Sequence, residues 1–220
     1  MVFDLERSLI VRAVMYRFLA LGFHEPGDAL ITFLKTEDEF LNLKEAAQEL
    51  DQDRVDKRLS LALEQTHAAI QTEDWSLRDL KVEYSRLFLG PTPPLAPPYE
   101  SVYDQDRPEE DRGTVQGPSA SAMEAALAEE NLELNLGRVD LYDHIAIELE
   151  FMYYLLGKSV ENEAEINQEY VERANSFLKE RLASWAPEFG EKVASKTENA
   201  LYHNLGRLLA EFVRLDAEQQ

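Results

Sequence analysis

The sequence predicts an all-α protein, several helices with a long proline-rich loop at its centre. Apolar residues recur at spacings of three and four through most of its 220 residues. There is no alternating apolar–polar run closed by a hairpin turn and no internal repeat of fixed period. Five of the nine prolines fall between Pro91 and Pro98. Proline removes an amide donor and fixes φ, so this stretch cannot be helix and reads as extended. With 45% hydrophobic residues the chain is too apolar for disorder. It can bury one core over 1–220, as a single helical domain or two tightly packed halves.

The elements follow in order. Leu5, Leu9, Ala13, Tyr16 and Ala20 form one stripe, widened by Val11, Val14, Phe18 and Leu21. The first helix is therefore buried on much of its surface and ends near Gly22, with Pro26 just beyond. Thr36 followed by Glu39 has the pattern of a capping box for a helix over 37–50. A helix over 53–71 carries Val55, Leu59, Leu63, Thr66 and Ile70. Ser76, with Asp79 three residues on, starts a helix to about Leu89. Residues 90–117 form the loop, with a charged run from Asp104 to Arg112; so long a loop in a compact domain is functional or disordered. Pro118 suits a first helical position. Helices follow over 119–131, 141–160, 164–184 (ending before Pro187) and 197–216. The last carries Leu201, Leu205, Leu208, Phe212 and Leu215. The expected architecture packs helices on both sides of one irregular crossing segment.

Composition excludes several classes. Without cysteine there are no disulfides, thiolate zinc sites, iron–sulfur clusters or cysteine nucleophiles. A net charge of −21 disfavours nucleic acid and anionic membranes, and steers basic peptides or basic protein patches inward. Solubility alone would also account for that charge. The apolar N-terminus is broken by Asp4, Glu6, Arg7, Arg12 and Arg17. It lacks the form of a secretory signal, and no stretch is long and apolar enough to span a membrane. The expected location is the cytoplasm.

Two segments stand out chemically. The first runs from Glu83, Tyr84, Leu87 and Phe88 into Pro98, Tyr99, Glu100, Ser101 and Tyr103. It reads as a stiff aromatic–proline wall edged by carboxylates and hydroxyls, suited to peptide capture at little ordering cost. Equally, its aromatics could complete the core. The second runs from Asp143 and His144 to Met152. Ile145, Leu149, Met152 and Leu156 make its core stripe, while His144 and Glu148 share another face. This cluster admits a metal site, acid–base catalysis by His144, a polar contact for a peptide, or a plain cap made by Asp143. Di-iron bundles need Glu-x-x-His pairs, which are absent, and His24, His67 and His203 lie in unrelated contexts. No nucleophile elbow, phosphate-cradling glycine loop or dinucleotide fingerprint occurs. No catalytic residue, cofactor or metal ligand is assigned, and the chain is not expected to be an enzyme.

Together the segments E83-Y-S-R-L-F-L-G-P91, P97-P-Y-E-S-V-Y103 and D143-H-I-A-I-E-L-E-F-M152 resemble the TorD/DmsD/NarJ family of redox-enzyme maturation chaperones. A weaker match follows in Phe177, Leu178, Leu182, Trp185, Pro187, Phe189, Leu201 and Tyr202. The resemblance spans about residues 5–215. It implies the family's own all-helical fold and a chaperone that binds the twin-arginine leader, or N-terminal region, of an apo molybdopterin oxidoreductase. Such a chaperone holds its client until molybdenum cofactor is inserted, and so delays export. By motif match, the peptide-contact positions are Glu83, Tyr84, Leu87, Phe88, Pro98, Tyr99, Glu100, Ser101, Tyr103, Asp143 and His144. Domain-swapped oligomers are known in the family, and a homodimer of that kind would hinge at 90–117. The alternatives are a helical adaptor without a signal-peptide client, or an enzyme centred on His144. Departures from the pattern are Tyr142 where proline is frequent, Ala126, Glu130 and Asn131 where an aromatic and a glycine are usual, and Arg181 where histidine is common.

Overall fold

In the computed structural model, which describes residues 2–53, 55, 57–72, 76–90, 93–134, 141–162 and 165–220, eleven α-helices follow one another, with no strand longer than an isolated bridge among those residues. The first, α1 (Val2–Phe23), buries Leu9, Met15, Tyr16, Phe18, Leu19 and Phe23. Its outer side is not covered: Leu5, expected on the core stripe, is 39% exposed and Ile10 is 45% exposed. Helix α2 (Asp28–Lys35), which buries Leu30, Phe33 and Leu34, has no counterpart in the sequence reading. Eight residues give too few repeats for a period to stand out.

Helix α3 (Glu37–Leu50) starts as expected, but without the capping box: the Thr36 hydroxyl donates back to the Thr32 carbonyl at 2.7 Å. Helix α4 (Arg58–Thr72) begins later than residue 53. Buried Asp51 accepts the Ser60 amide (3.0 Å) and hydroxyl (2.8 Å), which anchors the first turn there and leaves Val55 wholly exposed. Helix α5 (Leu77–Tyr84) carries the predicted box, with Ser76 and Asp79 each accepting the other's amide, and runs on as a π turn, Ser85–Leu89. Pro91 lies outside the described residues.

The central loop is not wholly extended. It contains the single turn α6 (Glu100–Tyr103) and a 3-10 turn, Glu109–Asp111. The charged run folds around Arg107, which donates to the carbonyls of Ser101 (3.0 Å) and Thr114 (2.7 Å). Helix α7 (Pro118–Glu129) has Pro118 in its first turn. It is closed by Asn131, whose φ of 55° fills the left-handed position that glycine usually takes.

Helices α8 (Ile145–Ser159) and α9 (Gln168–Phe177) follow; the expected start of the latter at 164 lies outside the described residues. Helix α9 does not stop before Pro187. A π turn, Leu178–Leu182, joins it to α10 (Ala183–Lys196), with Pro187 inside. A mid-helix proline forfeits one ladder bond. Burial of its ring, and of Trp185 and Phe189 beside it, outweighs that loss. Helix α11 (Ala200–Gln219) starts after its Asn199 cap.

Helices α10 and α11 pack most closely. A Cβ on Gly190 would lie 2.5 Å from the Gly206 carbonyl oxygen, and the reverse also holds, so only glycine permits this approach. Helix α1 crosses α8, α3 and α11, and one apolar cluster runs from Leu9 to Leu215. The two ends of the chain are clasped inside it: Arg12 pairs with Asp216 at 2.7 Å, and the Tyr16 hydroxyl donates to Asp216 at 2.6 Å. Among the described residues no helix is long and apolar enough to cross a membrane.

Candidate peptide-binding site

The proline segment and the start of α8 are adjacent. The Ile145 amide donates to the Pro98 carbonyl (2.9 Å) and the Glu100 amide to the Asp143 carbonyl (3.0 Å), pairing Tyr99 with His144 as an antiparallel bridge. Upstream, the Ala96 amide donates to the Leu87 carbonyl at 2.9 Å, so the π turn, the proline segment and α8 are tied in sequence. The π turn also moves Phe88 into an aromatic cluster. Its ring centroid lies 4.9 Å from Tyr84, 6.0 Å from Phe189 and 5.9 Å from Tyr202. Tyr103 joins through Trp185 at 5.4 Å.

Asp143 and His144 act here as caps. Fully buried Asp143 accepts the Ser101 amide at 2.9 Å, satisfying a donor of the first turn of α6 across a long sequence gap. The residue that caps α8 is His144 rather than Asp143. The His144 Nδ1 accepts the Ala146 amide at 3.1 Å, which places the ring proton on Nε2. Burial, and then the neighbouring His24, push its pKa down to about 3. A general base works best near the ambient pH; this imidazole is far below it and already engaged. Among the described residues no group of three or more His, Cys, Asp or Glu is arranged to hold a metal ion.

The eleven positions therefore divide by exposure. Tyr84, Leu87, Phe88, Pro98, Ser101, Tyr103, Asp143 and His144 are buried, while Glu83, Tyr99 and Glu100 are partly exposed. The buried ones build the ledge from beneath: the aromatics complete the core, and Asp143 and His144, expected among the contact positions, lie inside it. Both edge carboxylates already hold an internal guanidinium. Glu83 accepts from Arg86 at 2.8 and 2.6 Å and from the Thr197 hydroxyl, and the Arg86 hydrogen bonds hold its pKa below the usual carboxylate range. Glu100 accepts from Arg181 Nε at 3.0 Å and again from its terminal nitrogen.

Sequence reasoning missed the role of Arg181. From the π turn before α10 it reaches Glu100 on α6, the Ser119 carbonyl on α7 (2.9 Å) and Glu148 on α8 (3.4 Å). Burial works against its charge, but Glu148 and Glu100 more than offset this and raise its pKa. Glu148 is fully buried beside Glu100 and accepts the Trp185 indole N–H at 3.1 Å. Burial first, then Glu100, push its carboxyl well above the usual range. The signal available in the sequence was the arginine standing where histidine is common.

One further property sets the ledge apart. Apart from the Arg12–Asp216 contact, the buried side-chain polar atoms without a hydrogen-bond partner among the described residues are Ser101 Oγ, Tyr103 Oη, Asp143 Oδ1 and Tyr202 Oη. All four lie in or against the clasped segments. Beside the ledge, Val82 and Leu89 expose apolar surface (62% and 58%) on the outside of α5 and its π turn.

Residues 52–191 match the family model described as nitrate reductase delta subunit. The chaperone protein TorD of Vibrio vulnificus (strain YJ016) is 30% identical over 143 residues, covering 64% of this chain and 63% of that protein, so the chain spans under two thirds of that relative's length. The chaperone protein TorD of Vibrio atlanticus (strain LGP32) is 30% identical over 153 residues, covering 68% of this chain and 67% of that protein. A crystal structure of a putative redox enzyme maturation protein from Archaeoglobus fulgidus shares the fold with a TM-score of 0.51 at 20% identity, over 92% of this chain and 93% of that one. With the family model covering more than half of its length, and with an all-helical fold of matching type, the chain belongs to the nitrate reductase delta subunit family, the TorD/NarJ group whose curated relatives are chaperones.

Proposed function

We propose that the protein is a cytoplasmic chaperone that binds the twin-arginine leader, or N-terminal region, of an apo molybdopterin oxidoreductase. It would hold this client during molybdenum cofactor insertion and delay its export. Family membership supports the reading, and the observation that carries it is the backbone clasp that ties the end of α5, the proline segment and the start of α8 into one ledge. A leader of this type offers two guanidinium groups followed by an apolar stretch. The first guanidinium would exchange with Arg181 on Glu100, since planar forks bind carboxylates interchangeably. The apolar stretch would cover Val82, Leu89 and the outer edge of Tyr99. Asp143 and His144 act in this reading as positioning residues that hold the clasp shut. Exchange of segments between two copies across 90–117 belongs to the same proposal and is read by light scattering.

Calorimetric titration with a synthetic twin-arginine leader tests it. Binding should weaken about tenfold or more in Glu100→Gln, a loss of roughly 1.4 kcal/mol. It should also fall with added salt, given the net charge of −21. Equal binding by a leader with both arginines replaced by alanine would overturn the proposal and leave a helical adaptor of another client.

A further inference from the structure

Helices α1 and α3 leave between them an open groove of about 730 Å³, remote in sequence from the clasp. Its floor is apolar, made by Ile10, Val11 and Val14 of α1, Phe33 of α2 and Ala46 of α3. Ile10 is nearly half exposed there, beside partly exposed Val14. Its rim is acidic, with Glu6 on one side and Glu39, Glu45 and Glu49 on the other. Arg7 and Arg17 bridge the rim, to Glu49 and Glu39 respectively, through exposed ion pairs of the kind that open readily. The stretch of α1 from Glu6 to Arg17 is about 16 Å long at 1.5 Å per residue, enough to seat roughly three turns of a guest helix.

We propose that this groove binds a basic amphipathic helix of a partner protein, laid between α1 and α3 with its apolar face on Ile10 and Val14. Charge selects the occupant. An acidic rim on a molecule of charge −21 attracts lysine and arginine flanks, and a second copy of the chain would bring another −21 to the contact and be repelled. The groove is separate from the clasp, and the inference stands whether or not the leader binds there.

Fluorescence anisotropy with a labelled peptide of leucine and lysine alone, leucines at helical spacing, tests the proposal against a shuffled peptide of identical composition. Equal charge in the two cancels nonspecific attraction. The helical pattern should bind at least about tenfold more tightly than the shuffled one, and Ile10→Glu should abolish that difference. Glu45→Lys should weaken the patterned peptide, and Ile10→Glu should leave twin-arginine leader binding unchanged. Circular dichroism confirms folding, with Ile10→Ser in reserve if Ile10→Glu misfolds. Equal affinity for both peptides, a folded Ile10 variant that binds as well as wild type, loss of leader binding in that variant, or a dimer that it converts to monomer would each overturn the proposal.

Discussion

Asp143 and Ser101, each expected among the peptide-contact positions, meet one another inside the fold. The Asp143 carboxylate serves the Ser101 amide, while the Ser101 hydroxyl makes no hydrogen bond among the described residues. Asp143→Ala leaves a buried amide unmet, so it should cost about 1–3 kcal/mol and lower the thermal midpoint by roughly 2–4 °C for each kcal/mol. Ser101→Ala removes an unsatisfied buried group and should leave the midpoint unchanged or raise it. His144 contributes a pH dependence. Its folded pKa, about 3, lies below the ordinary value of 6.5. Its contribution is therefore fully present above pH 6.5 and is lost as pH falls toward 3, at up to about 1.4 kcal/mol per pH unit. His144→Asn keeps an N-cap acceptor without the titration, so denaturant melts of this variant should decline less between pH 6.5 and 4 than those of wild type. The sequence shows that Asp143, His144 and Glu148 are polar and flank a core stripe. It does not show the Arg181–Glu148–Glu100–Trp185 network, because Glu100 and Glu148 come from helical segments far in sequence from the one that carries Arg181 and Trp185.

At the scale of elements, the stripe of α11 is legible because it repeats over more than three turns, and that of α8 because Ile145, Leu149, Met152 and Leu156 keep helical spacing, although α8 is buried on its other sides as well. Helix α2 is too short to show a period. The two π turns are invisible to a 3.6-residue template, yet one sets Phe88 in the aromatic cluster and the other aims Arg181 at Glu100. Proline argued for the end of a helix at Pro187, but tertiary burial prevails there. Glycine likewise reads differently by position. Gly190→Ala should destabilise by about 1–3 kcal/mol, since its Cβ would meet the backbone of α11 at 2.5 Å. Gly157→Ala, on α8 with nothing within 4 Å, should instead stabilise by roughly 0.5–1 kcal/mol through helix propensity. Thermal melts of the two variants should therefore shift in opposite directions.

For the whole molecule, the buried Arg12–Asp216 pair joins the first helix to the last, with Asn175 of α9 accepting from Arg12 at 3.0 Å. Removing one partner strands a buried charge, so Arg12→Ala should cost about 3–5 kcal/mol. Replacing both, Arg12→Met with Asp216→Leu, should recover much of the loss, as chemical denaturation would show. This closure ties α1, which lines the groove, to α9 and α11. In the proposed function, a guest leader docks on the ledge formed by the end of α5, the proline segment and the start of α8. Hydrogen exchange with and without a twin-arginine leader tests it most directly. Slowed exchange over 82–103 and 143–148 is the predicted result, and protection absent there but present elsewhere would contradict it.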